Sequence, residues 1–201
     1  DLTFRPLNYS SGVTNPNSGW LFFVNDHVTT IERLQVVGLR GPSGTGLIWT
    51  FSDEMQISNN DFVGCAAHAT TLNSAVIQLI NGRTTRVELN HFTDFGTING
   101  RTIILTAGGS QSWIDVRHGN DGVVSIADNW FDEGSRFAVR AAAPVGIRTL
   151  IIERNYNLAP VTVGARSIYV TGVPTVIVRE NTLTVQSVNG AEPTFEVAGA
   201  E

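Results

Sequence analysis

Lysine is missing from this chain of 201 residues, and all 13 basic residues are Arg. No ε-amine is available for a Schiff base, and Arg holds its proton too firmly to shuttle one. A single cysteine, Cys65, excludes an intrachain disulfide framework; its expected role is that of a small buried apolar residue. No apolar run approaches the roughly 18 residues of a membrane span. No segment sustains the apolar period of an amphipathic helix, so almost no helix is expected. A formal net charge of −5 argues against the basic footprint that nucleic acid requires. The Gly-rich stretch Gly38–Gly46 lacks the Gly-Lys-Ser/Thr ending of a phosphate loop and reads as a loop between repeats. The chain opens Asp1-Leu2-Thr3 without an initiator Met or a signal peptide, which reads as a processed chain or an excised fragment.

What is present is an asparagine in a recurring setting. It occurs in Ile57–Phe62 (ISNNDF), Val87–Phe92 (VELNHF), Ala127–Phe131 (ADNWF), Ile151–Asn157 (IIERNYN) and Val176–Leu183 (VIVRENTL). An alternating apolar run precedes Asn60, Asn90, Asn129, Asn155 and Asn181, at spacings of 30, 39, 26 and 26 residues. Repetition at this period is the signature of a solenoid.

Each repeat holds two strand-like runs before its Asn. The first are Gly46–Phe51, Ala75–Ile80, Trp113–Arg117, Phe137–Ala141 and Ser167–Thr171; the second are Met55–Ser58, Arg86–Leu89, Val123–Ile126, Leu150–Ile152 and Val176–Val178. A brief third strand is expected from Phe62, Phe92, Phe131 and Leu183, with Asn157 the departure at the fourth repeat. An Asn-less copy is expected at Leu34–Leu39, and Thr194–Ala198 reads as the start of one more coil.

Three strands per turn predict an all-β, single-stranded, right-handed parallel β-helix of about six coils, stacked at roughly 4.8 Å. The Asn is expected to take the left-handed backbone of a tight bend and to bond to its equivalents above and below as a ladder. Residues 1–19, rich in Asn, Ser, Pro and Gly, read as a loop or attachment segment, and residues 20–201 as the solenoid. The long step between Asn90 and Asn129 predicts an excursion over residues 93–112, or a small hairpin, around the strand-like run Arg101–Ala107.

The repeat units at Ile57–Phe62 and Ile126–Phe131 resemble the coil repeat of the pectin-lyase-like β-helix superfamily, over about Gly46 to Leu183. That resemblance implies one of several activities: a polysaccharide lyase, a glycoside hydrolase, or a spike or fibre of a bacteriophage. The stretch Thr85–Phe131 is similar to the alginate and chondroitin lyase branch, whose members use a Lys and an Arg with Ca²⁺ held by carboxylates. This chain departs from that pattern in having no Lys.

The resemblance also implies a substrate groove along the first strand of each coil. By alternation Trp113, Asp115 and Arg117 face outward there, with Gln78, Arg140 and Tyr169. Such a column could hold an acidic glycan, with Arg forks on carboxylates and an aromatic face against a sugar ring; it could equally be a solvated sheet face with charges paired across strands. Asp132 and Glu133, with Asp94 and Asp115, are the available carboxylates for glycoside hydrolysis or for Ca²⁺, and Arg117 and Arg140 complete the catalytic candidates. No other cofactor is expected. His27, His68, His91 and His118 lack the spacing of a zinc site. Trp130 is expected to point outward, as a sugar platform or a subunit contact, or to lie under a loop.

The expected function is a spike or fibre module of a virion-type particle that binds bacterial surface polysaccharide. The alternatives are a polysaccharide lyase or hydrolase domain and a structural adhesin stalk. The expected setting is a virion or the extracellular space, as a homo-oligomer. Solenoid ends need covering, and the resemblance to phage spikes implies a trimer; neither nucleic acid nor a membrane is expected as a partner.

Overall fold

Short alternating runs rich in β-branched residues fit a pleated surface and build strands. The computed structural model describes residues 2–4, 22–24, 27–37, 46–50, 52–65, 75–79, 82–93, 97–98, 101–102, 112–116, 118–131, 137–142, 144–156, 168–182 and 195–198. Among these residues every regular element is a strand.

Parallel strands stack into three sheets. The seven-stranded sheet takes Phe22–Val24, Gly46–Thr50, Ala75–Leu79, Ser112–Val116, Phe137–Ala142, Ile168–Thr171 and Phe195–Ala198 in that order. The six-stranded sheet takes Val28–Glu32, Glu54–Ser58, Gly82–Glu88, His118–Ala127, Val145–Glu153 and Thr175–Arg179. The five-stranded sheet takes Leu2–Phe4, Leu34–Val37, Asp61–Val63, His91–Thr93 and Trp130–Phe131. The chain visits the sheets in rotation, which makes a β-solenoid.

The two expected strands of each repeat fall in these sheets, with ends moved by up to several residues; the run at Leu150–Ile152 extends to Val145–Glu153. The third strand begins one residue before each core Phe, at Asp61, His91 and Trp130. At the fourth repeat Tyr156 makes a single bridge to Trp130, while Asn157 and Leu183 lie outside the described residues. Leu2–Phe4 is a strand paired with Leu34–Val37, where the sequence suggests only loop. The excursion over residues 93–112 contains an antiparallel hairpin, Thr97–Ile98 against Arg101–Thr102, around the turn-forming sequence Asn99-Gly100.

Alternation turns half of each strand inward, and coil stacking lines those residues up. Ile31, Ile57, Val87, Ile126 and Ile152 follow one another in register, as do Ile48, Ile77, Ile114, Val139 and Ile168, and all are buried. Phe62, Phe92 and Phe131 form a third column, with ring centroids 5.1 and 4.9 Å apart and planes within 7° and 6° of parallel. Such contacts contribute about 0.5–1.5 kcal/mol each beyond burial. Cys65 is buried with them.

The asparagine ladder closes the corner between the six- and five-stranded sheets. Asn60 Nδ2 donates to Asn90 Oδ1 at 2.9 Å, and the same bond joins Asn90 to Asn129, Asn129 to Asn155 and Asn155 to Asn181 at 3.0 Å. Each acceptor oxygen also receives the backbone N–H of the preceding ladder Asn. Each Nδ2 donates as well to a carbonyl of the previous coil, such as Ile57 O for Asn90 and Val87 O for Asn129. One side chain thereby binds three coils, and four of the five asparagines are 1% exposed.

The left-handed bend sits one residue earlier than expected. Arg33, Asn59, Leu89, Asp128, Arg154 and Glu180, not the ladder asparagines, have φ between 51° and 57°. The residue at that bend turns the chain so that the next side chain points into the corner.

Candidate functional site

The seven-stranded sheet aligns the expected column. Gln78, Asp115, Arg140 and Tyr169 are in register across four adjacent strands, with Trp49 before them and Glu196 after. Trp113 shares the strand Ser112–Val116 with Asp115; the side chains of both, and Arg117, Asp132 and Glu133 entirely, lie outside what is described. The outward exposure expected of Gln78 is corrected: it is 1% exposed. Val76, which alternation also turns outward, is 0% exposed, and Ala138 on a neighbouring strand 5%. Arg140 and Tyr169 are half-buried. This face is therefore covered at Gln78, Val76 and Ala138, as a strand buried on both sides must be.

The six-stranded sheet presents an open outer face that sequence reading does not single out. Register sets Arg86, Ser125 and Ile151 side by side in one row, and Glu88, Ala127 and Glu153 in the next. Ser125 and Ala127 are small and stand between longer neighbours, so the middle strand becomes the floor of a trough of about 320 Å³. Arg86 and Glu88 form one wall, Ile151 and Glu153 the other. Arg86 is exposed and makes no ion pair among the described residues. Glu88 accepts a hydrogen bond from Gln56 Nε2 at 3.2 Å.

A charge network fixes the trough's rim toward the corner. Arg154 donates from Nε and Nη2 to the two oxygens of Asp128, at 2.8 and 2.9 Å, and its Nη1 lies 2.7 Å from Glu153 Oε1. Arg179 Nε donates to Glu153 Oε2 at 2.6 Å. The hydrogen bonds from Arg179 and Arg154 hold the Glu153 carboxyl below its ordinary pKa, and Asp128 and Glu153 push that of Arg154 up. The carboxylates of Glu88 and Glu153 flank Ala127 two strands apart, roughly 10 Å by strand spacing. A general acid needs a raised pKa, so Glu153 is suited to accepting hydrogen bonds and not to giving up a proton.

Around the corner, the residue after each ladder Asn faces solvent. Asp61, His91, Trp130, Tyr156 and Thr182 occupy this position after the successive ladder asparagines and are all exposed. Trp130, for which the sequence offered three settings, is 42% exposed, and Tyr156 is 47%. Their ring centroids are 4.2 Å apart with planes 33° from parallel. His91 stands edge-on to Trp130 at 6.0 Å, with Nδ1 3.8 Å from Asp61 Oδ1. Arg154, on the trough's rim, and Asp128, its partner, lie two residues before Tyr156 and Trp130 respectively. The Arg154 rim of the trough thus lies next to the aromatic ridge along the chain.

Sequence reasoning found Trp130 but not the trough. The trough depends on which residues meet across coils, and only the hydrogen-bonded register supplies that. Among the described residues no group of three or more His, Cys, Asp or Glu side chains could hold a metal ion, and no helix is long and apolar enough to cross a membrane. No family model, curated protein or solved structure matches the chain.

Proposed function

We propose that this chain is a non-catalytic, right-handed β-helix module of about six coils, akin to the pectin-lyase-like superfamily, from a spike or fibre of a virion-type particle. In this reading it binds bacterial surface polysaccharide and works as a homo-oligomer, a trimer about the long axis. The observation that carries the binding is the trough of Arg86, Ser125, Ala127 and Glu153, whose Arg154 rim lies two residues from the exposed stacked pair Trp130 and Tyr156. Hydroxyl-rich polymers are recognised by fixed polar groups beside an aromatic face. Here the backbone under both is a stacked sheet, so little order is lost on binding. The polymer is bound at an outer face and not in a cleft, which suits attachment more than chemistry.

The test is binding of purified capsular polysaccharide, with reducing ends and ultraviolet-absorbing unsaturated ends followed in the same samples. Binding without either product is expected. Release of either product moves the assignment to a hydrolase or a lyase, and absence of both binding and products moves it to a stalk. Filling the floor with Ser125→Trp is expected to lower affinity about tenfold. Arg140→Ala is the control on the seven-stranded sheet: a larger loss there than in Ser125→Trp relocates the site to the Gln78–Tyr169 column.

A further inference from the structure

The aromatic ridge has a rung missing. Trp130 N donates to Asn90 O, Tyr156 N to Asn129 O and Thr182 N to Asn155 O, at 2.8, 2.8 and 2.9 Å. The three residues therefore hold one structural position in successive coils, about 4.8 Å apart. Trp130 and Tyr156 stack on each other, but the third position carries only a small hydroxyl side chain. Tyr156 is left 47% exposed, and among the described residues the position over it carries no ring, a gap one coil high in the ridge.

Among the described residues the charge around that position sums to negative, with the carboxylates Asp128, Glu153 and Glu180 against the cations Arg154 and Arg179. Arg154 is held by Asp128 and Glu153, and Arg179 by Glu153. Glu180, exposed at the bend two residues before Thr182, makes no ion pair among the described residues. Arg86, which makes no ion pair among the described residues, stands on the far wall of the trough, across Ser125 and Ala127. A carboxylate at the gap would meet an uncompensated like charge, whereas sugar hydroxyls can donate to Glu180.

We infer that the gap over Tyr156 at Thr182 is a stacking subsite for one uncharged pyranose ring, which enters as the next rung of the ridge. The inference rests on the polysaccharide reading and adds the class of sugar. The apolar C–H face of the ring lies on Tyr156, and its hydroxyls reach Thr182 Oγ1 and Glu180.

The full chain is titrated with soluble neutral glucans and with alginate as the anionic comparison, by calorimetry and by tryptophan fluorescence. Three variants are compared: Tyr156→Ala, Thr182→Trp, which supplies the missing ring from the protein itself, and Glu180→Gln. Neutral glucan is expected to bind better than alginate, with little dependence on salt. Tyr156→Ala and Thr182→Trp each lose about tenfold in affinity for glucan, and the melting temperature of Thr182→Trp is kept or raised. Glu180→Gln narrows the gap between glucan and alginate. Glucan binding that survives both Tyr156→Ala and Thr182→Trp overturns the subsite and leaves the polysaccharide reading in place, as does tighter, salt-sensitive binding of alginate. No binding of any glycan overturns both. A change of mass by light scattering in Thr182→Trp, without a change in glycan affinity, also overturns the subsite and assigns the corner to contact between copies.

Discussion

Leu89 holds a left-handed backbone, φ 57°, with its side chain 55% exposed. For a residue with a Cβ this conformation costs about 1–2 kcal/mol, and burial offsets little of it. Replacing it with Asn, which tolerates the conformation, is expected to raise stability by about 0.5–1 kcal/mol. Urea midpoints at a constant denaturant slope would show it; a loss of stability would mean that Leu89 packs more usefully than its exposure suggests. The six bend positions hold Arg, Asn, Leu, Asp, Arg and Glu, so no residue type announces them in the sequence. The ladder imposes the conformation from the next position, which is why the sequence placed the bend on the Asn itself. Glu153 adds a pH dependence of known sign. Its folded-state pKa is depressed, so its contribution is fully present above the ordinary carboxylate value and is lost as pH falls through the folded one. Wild-type stability is expected to fall below about pH 4.5 more steeply than that of Glu153→Gln, in parallel urea titrations.

The ladder is the element on which the corner depends, and its rungs are not equivalent. Asn129 donates to Val87 O and Asn155 Oδ1, and accepts from the backbone and side-chain amides of Asn90. Asn129→Ala leaves buried donors and an acceptor without partners, each costing about 1–3 kcal/mol. A loss of several kcal/mol is therefore expected, on the order of 3 or more. Asn181 is half-exposed, and Asn181→Ala is expected to cost nearer 1 kcal/mol because water replaces what is lost. Equal losses in thermal melts of the two variants would refute this grading. The strands and the ladder were legible because apolar alternation and a repeated Asn are properties of one stretch of chain. The cover over Gln78 was not, since its neighbours in sequence, Ile77 and Leu79, show only which face it takes. Nor was the trough, whose walls lie 39 and 26 residues from its floor in the chain (Arg86 to Ser125 to Ile151).

Across the whole molecule each coil touches only its neighbours, so stability is a sum of similar nearest-neighbour terms. Among the described residues the strand His118–Ala127 is paired on both sides by long strands, whereas Thr175–Arg179 is an edge of its sheet. Amide exchange is expected to be slowest in the former and fastest in the latter, by mass spectrometry on the native protein; uniform protection would mean that the edge is covered. Every rung of the ladder offers the same donor below and the same acceptor above, so it does not distinguish one neighbour from another. Removing residues 129–154, the 26-residue step from one rung to the next, joins Asp128 to Asn155 and sets Asn155 beneath Asn90's amide in place of Asn129. A shortened chain with the same circular-dichroism signature is the expected product. An interchangeable joint of this kind lets a lineage lengthen or shorten such a protein by whole turns, through duplication or loss, without redesigning the corner.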